Sequence, residues 1–184
     1  MKVLFIDACA RKESRTRRLA GCYLKKLGEA YEEVRLFDVE FPAADEAFLK
    51  RRDGFISEGD YSDRMFDLAK QFAAADEIVI AAPFWDLSFP AALKQYLEQI
   101  NVLGITFRYS PQGVPEGLCR AEKLTYVTTA GGNYVPEEFG FGYVRALAQG
   151  YYGIQDVRLI QAAGLDIEGA DAEAIMRTAE EKIR

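Results

Sequence analysis

Residues 77–90 read Glu77-Ile78-Val79-Ile80-Ala81-Ala82-Pro83-Phe84-Trp85-Asp86-Leu87-Ser88-Phe89-Pro90. From Ile78 to Ala82 the run is apolar at every position, as expected of a strand covered by helices on both faces. Beyond Pro90, Leu93, Tyr96, Leu97 and Ile100 recur at three- and four-residue spacing, the stripe of an amphipathic helix. The stretch is therefore strand, loop, helix, and Pro90 suits the first turn of that helix. Its loop is unusual. Phe84, Trp85 and Phe89 at the rim of a sheet expose apolar area unless something flat covers them. A local hydrophobic staple is the simpler use of the same residues.

The same alternation recurs on both sides of this segment, which is the pattern of a parallel α/β sheet. Strand candidates are Lys2 to Ile6, Val34 to Val39, Glu77 to Ala82, Leu124 to Thr129 and Val157 to Ala162. Helical stripes lie at Leu19, Cys22, Tyr23 and Leu27, at Met65, Leu68, Ala69 and Phe72, at Val144, Leu147, Ala148, Tyr151 and Tyr152, and at Ile175, Met176, Ala179 and Ile183. Charges interrupt the second and fifth strand candidates, as in Val34-Arg35-Leu36-Phe37-Asp38, so those two belong at the edges. The resulting order, 2-1-3-4-5, is the flavodoxin-like winding of a three-layer α/β sandwich with a five-stranded parallel sheet. Residues 1–184 read as one domain. Two segments stand outside the repeat. Glu40 to Tyr61 is too long for a simple connection, and Gly104 to Leu118 reads as a small hairpin or lid.

Composition narrows the chemistry. A net charge of −6 argues against nucleic acid as a partner. The absence of histidine removes imidazole bases and the commonest transition-metal ligand, so no metal site is expected. Three widely spaced cysteines, Cys9, Cys22 and Cys119, form no disulfide framework. No apolar run reaches the length of a signal-peptide core or a membrane span, and a cytoplasmic protein is expected.

In such a sheet the ligand loops follow the carboxyl ends of the central strands. After the first strand come Asp7-Ala8-Cys9-Ala10-Arg11-Lys12-Glu13-Ser14-Arg15-Thr16-Arg17-Arg18 and then a helix. The hydroxyls of Ser14 and Thr16, free amides, the helix dipole and the basic side chains make an anion site suited to phosphate. An N-cap ahead of a solvated basic helix start accounts for the same residues. After the fourth strand, Thr129-Ala130-Gly131-Gly132 permits close approach of a flat ring to the backbone, or is a plain turn.

Taken together, these loops resemble those of the flavodoxin-like NAD(P)H:quinone reductases and FMN-dependent azoreductases. Arg11-Lys12-Glu13-Ser14-Arg15-Thr16 is similar to their phosphate-loop pattern Ser-Pro-Arg-x-x-Ser-x-Thr. Pro83-Phe84-Trp85 with Pro90 to Tyr96, the run Gly104 to Tyr109 with Pro115 to Leu118, and Thr129 to Gly132 match further motifs, the likeness spanning residues 2 to 133. The resemblance implies FMN, its phosphate on Ser14, Arg15 and Thr16 with Cys9 and Arg11 beside them. It implies ring contacts from Phe84, Trp85, Asp86 and Leu87 and from Thr129, Ala130, Gly131 and Gly132. It also implies hydride transfer from NADH or NADPH to a quinone-like or azo aromatic acceptor by a ping-pong mechanism, in a homodimer. Cys9 and Ala10 stand where the pattern has Ser-Pro, and Asp86 where azoreductases often have Asn. No catalytic side chain is singled out; Tyr109 and Tyr134 are candidate pocket hydroxyls.

Two other readings share these residues. Cys9 followed after five residues by Arg15-Thr16 fits the Cys-x5-Arg-Ser/Thr signature of low-molecular-weight phosphatases and arsenate reductases, with a thiolate nucleophile at a helix start. The acid those enzymes take from an Asp-Pro pair has no counterpart. A non-enzymatic flavin-binding electron carrier is the other, since a fold alone does not give turnover.

Overall fold

The computed structural model describes residues 1–183. Five parallel strands form the main sheet: β1 (Val3–Asp7), β2 (Tyr31–Arg35), β3 (Glu77–Ala81), β6 (Lys123–Thr129) and β7 (Asp156–Ala162). Their order is β2-β1-β3-β6-β7, the expected winding with a small extra hairpin counted in between. Each strand of the inner pair is buried along its whole length, and alternate residues feed two cores. Val3, Phe5, Val79 and Ala81 face α1 (Arg15–Leu27) and α6 (Ala172–Glu181). Leu4, Ile6, Ile78 and Ile80 face α3 (Asp67–Ala73), α4 (Ala91–Ile100) and α5 (Phe141–Leu147). That double coverage is why β1 and β3 carry no outward polar face.

The second strand lies earlier than Val34 to Val39. It pairs Tyr31 with Val3 and ends with Arg35 opposite Asp7, after which Leu36–Asp38 form a single 3₁₀ turn. The first three residues, Tyr31-Glu32-Glu33, are solvent-facing at a sheet edge and carry no apolar signal. Leu36 reaches the core by turning inward, not by continuing the pleat.

Helix boundaries also differ from the patterns. The segment from Glu40 to Tyr61 contains α2 (Glu46–Glu58), capped by the Asp45 side chain on the Phe48 amide, with no fully buried residue. Pro90 is the N-cap of α4, its carbonyl accepting from Leu93 N at 2.9 Å, so it lies one position before the helix. After Leu147 the stripe through Tyr152 continues as one π-helical turn, Ala148–Tyr152, closed by Gly153 at φ 80.

The hairpin is present as β4 (Phe107–Tyr109) and β5 (Pro115–Gly117). It is pinned to the body: a Cβ on Gly117 would stand 2.2 Å from the Gly153 nitrogen and from the Tyr152 carbonyl carbon. Its exit strand is tied to the start of the sheet, Arg120 N donating to Ala73 O and Glu122 N to Asp76 O. Helix α4 runs back along β3, so it delivers the hairpin to the amino-terminal edge, away from the ligand loops.

Candidate functional site

A cleft of about 310 Å³ opens at the carboxyl ends of the strands. It is lined by the loop after β1 (Ala10, Arg11, Glu13, Ser14, Arg15, Thr16), by Pro83, Phe84 and Trp85 after β3, by Thr129, Ala130 and Gly131 at the end of β6, and by Leu165 and Asp166 after β7. Its volume is at the lower end of small-molecule pockets.

The first loop is organised from below by Asp7, a carboxylate only 1% exposed at the end of β1. Asp7 Oδ1 accepts the Cys9 amide at 2.9 Å, and its other oxygen pairs with Arg17. Arg17 also binds Glu33 at 2.6 Å, and Arg18 is held by Glu173 and Glu180. Most of the basic run is thus committed to structural pairs. Arg11 and Lys12 have no ion pair among the described residues. Ser14 caps α1, its Oγ accepting from the Arg17 amide at 3.3 Å, which leaves the amides of Arg15 and Thr16 without an acceptor in the helix. The N-cap and the candidate anion site are therefore the same residues. Buried Thr16 shares a hydrogen with Thr129, their Oγ1 atoms 2.6 Å apart, tying the first loop to the third.

Cys9 does not line the cleft. Its thiol is buried, lies 3.8 Å from Ala81 O, and is pushed up to about 12 by that burial. A neutral thiol turned into the sheet cannot serve as the nucleophile that the phosphatase-like reading requires.

The second loop is stapled to the sheet. Phe84 N donates to Thr129 O at 3.0 Å, and Trp85 and Ser88 exchange backbone hydrogen bonds at 3.0 and 2.8 Å. Asp86 and Leu87 sit at the tip with φ 49 and 68, the signs of a type I′ turn, where Asn-Gly is the favoured pair. Left-handed backbone at Leu costs about 1–2 kcal/mol, and such outliers gather at ligand sites. The amides of Phe84, Trp85 and Ser88 are used internally, whereas those of Asp86 and Leu87 have no acceptor among the described residues. Those two side chains are exposed at the rim and do not line the cleft, while Trp85, 40% exposed, does.

Gly132, Tyr134 and Tyr109 also lie outside the lining, as does the whole of Gly104 to Leu118. Within one chain that hairpin is not a roof, because α4 has carried it to the other end of the sheet. Glu40 to Tyr61 borders a separate hollow lined by Phe41, Phe48, Met65 and Leu68, where Arg51 pairs with Asp63. The sequence patterns missed Leu165 and Asp166. Strand β7 is legible as an edge strand, and ligand loops were sought only after the central strands, so its loop, turned by Gly164 at φ 80, was passed over.

Comparisons with known proteins fit this geometry. The family described as "Flavodoxin-like fold" (Flavodoxin_2) matches residues 1–184. The chain is 34% identical to an FMN-dependent NADH:quinone oxidoreductase of Clostridium beijerinckii, covering 100% of this chain and 96% of that protein. It is 36% identical, with the same coverage, to FMN-dependent NADH:quinone oxidoreductase 2 of Clostridium acetobutylicum. Among solved structures it is similar to azoreductase from Bacillus anthracis str. Sterne, with a TM-score of 0.83, 25% identity, and coverage of 99% and 96% of the two chains.

Proposed function

The chain belongs to the flavodoxin-like family of FMN-dependent NADH:quinone oxidoreductases, and from that membership we propose that it is an FMN-dependent enzyme moving hydride from NADH to a quinone-like or azo aromatic acceptor. The observation that carries the reading is one cleft joining an anion-accepting helix start to an exposed apolar wall. The residues fit the cofactor. Ser14, Arg15, Thr16 and Arg11 suit a phosphate, and the Phe84-Trp85 wall suits a planar ring. The free amides of Asp86 and Leu87, at the rim just outside the cleft, suit a polar edge of the ring that projects from it, and Thr129 to Gly131 line the other part of the cleft. Cys9 contributes only through its backbone, held by Asp7.

Bound FMN supplies the hydride-accepting and hydride-donating chemistry; the protein supplies position and electrostatics. Each residue's part follows from its place. The α1 amides and Arg15 would neutralise phosphate charge, Phe84 and Trp85 would exclude water from one side of the ring, and the Asp86-Leu87 turn would present donors without moving, since both flanking residues are locked by the Trp85–Ser88 pair. Two reactants taking one stacking site in turn give ping-pong kinetics. Trp85 in the cleft, Leu87 at its rim and Phe139, whose carbonyl accepts from Ser88 Oγ of the same loop, are exposed apolar side chains that favour completion of the acceptor site by a second copy of the chain.

The test begins with the absorbance spectrum of the purified protein and identification of released chromophore, followed by NADH consumption with a quinone. Yellow protein, released FMN and parallel double-reciprocal lines are expected. Colourless protein that takes up no added FMN overturns the reading. Bound FMN without turnover on several acceptors leaves an electron carrier instead. Elution as a monomer by light scattering rules out the second copy.

A further inference from the structure

The loop after β7 closes over the loop after β6 through successive backbone hydrogen bonds: Gly164 N to Gly132 O at 3.0 Å, Leu165 N to Ala130 O at 3.2 Å and Asp166 N to Gly131 O at 2.9 Å. This clamp brings the Asp166 carboxylate onto Gly131. A Cβ at position 131 would stand 2.5 Å from Asp166 Oδ2 and 3.2 Å from its Cγ. The missing Cβ of Gly131 leaves the room that this carboxylate occupies. On its far side Asp166 Oδ1 accepts from Arg15 Nη1 at 2.8 Å, and the same nitrogen lies 3.5 Å from Leu165 O. Arg15 and Asp166 both line the cleft. The guanidinium that the start of α1 offers to an anion is therefore already facing one.

We propose that Asp166 is a specificity-determining counter-ion that competes with the cofactor's phosphate for Arg15, and so limits how strongly the cleft prefers phosphorylated over unphosphorylated flavin. This rests on the FMN reading above. A phosphate entering the cleft loses part of Arg15 to Asp166 and meets a like charge as well. Because the backbone clamp holds the loop independently of the side chain, the carboxylate can be altered without dismantling the site. The pair is exposed, at 47% and 68% for the two side chains, so its influence is modest and screened by salt. The contribution of an exposed pair corresponds to a change in affinity of up to about fivefold.

The experiment is a fluorescence titration of FMN and of riboflavin against the wild type, Asp166→Asn and Arg15→Gln at low ionic strength. Asp166→Asn is expected to tighten FMN by about three- to fivefold and to leave riboflavin within about twofold, with the gain abolished near 0.5 M salt. Arg15→Gln is expected to reduce the preference for FMN over riboflavin. Unchanged or weaker FMN binding in Asp166→Asn overturns the proposal, the weaker case marking Asp166 as a support that orients Arg15. An equal gain for riboflavin also overturns it, since the effect is then steric. Failure of every protein, wild type included, to bind FMN overturns the cofactor reading and this proposal together.

Discussion

At the scale of single residues, the tip of the second loop and Cys9 are the informative positions. Leu87 holds φ 68 with 43% of its surface exposed, so it carries backbone strain without recovering much burial. Leu87→Gly is expected to raise stability by about 1 kcal/mol, a Tm increase of roughly 2–4 °C for a chain of this size, by thermal melt. An unchanged or lower Tm would show that the turn is not strained. Cys9 makes a prediction of opposite kind. Its folded thiol lies near 12 against 9.0 for the unperturbed group, the result of burial. The stability contributed by the neutral thiol is complete below about pH 9 and is lost as pH rises toward 12. Iodoacetamide at pH 8 is expected to spare Cys9 in the native fold and modify it in denaturant, read by peptide mass spectrometry. Rapid native labelling would mean the loop opens. Both residues were singled out by the sequence, but neither conformation was visible there. Positive φ at Asp86-Leu87 arises from the exchanged Trp85–Ser88 hydrogen bonds, and the thiol's direction from the parallel pairing that sets Ala81 beside it.

At the scale of elements, two glycines separate packing from propensity. Gly117 meets backbone of the π-helical turn, and backbone cannot rotate aside as a side-chain tip can. Gly117→Ala is expected to cost about 3 kcal/mol, with a Tm drop of roughly 6–12 °C as the hairpin separates from Gly153. A small change would mean the hairpin is loosely held. Gly54 lies inside α2, and a Cβ there would meet no atom within 4 Å, so only helix propensity operates. Gly54→Ala is expected to stabilise by about 0.5–1 kcal/mol in a urea melt. The inner strands and the helices with full apolar stripes were legible because burial on both faces leaves no freedom in residue type. Strand β2 was placed too late and helix α2 was left within a long connection, for one reason. Tyr31-Glu32-Glu33 and most of α2 face solvent, with only Phe55 and Ile56 of the helix packed on the core, and composition on such a surface carries little information about backbone state.

For the molecule as a whole, ligand linkage provides a check that does not depend on turnover. FMN at about a hundredfold excess over its Kd is expected to add about 2.7 kcal/mol, a Tm rise of roughly 5–11 °C in thermal shift. Riboflavin at the same concentration is expected to give less, because it makes no use of the anion site. The sequence by itself determined the winding: unbroken apolar runs at Val3 to Ile6 and Ile78 to Ala82 can exist only between two layers of helix, and charged runs at the second and fifth strands only at edges. It also determined three of the loops that meet at the cleft, since a parallel sheet brings the ends of its central strands together whatever the loops contain. Tertiary structure decided the rest. Which arginines remain available depended on the pairing of Arg17 with Asp7 and Glu33 and of Arg18 with Glu173 and Glu180, the last two more than 150 residues away in the chain. That a fourth loop enters the cleft, and that its Asp166 faces Arg15 across Gly131, followed from hydrogen bonds between segments far apart in sequence. Periodicity records how each segment meets solvent or core; which charges meet each other is settled only when the segments are assembled.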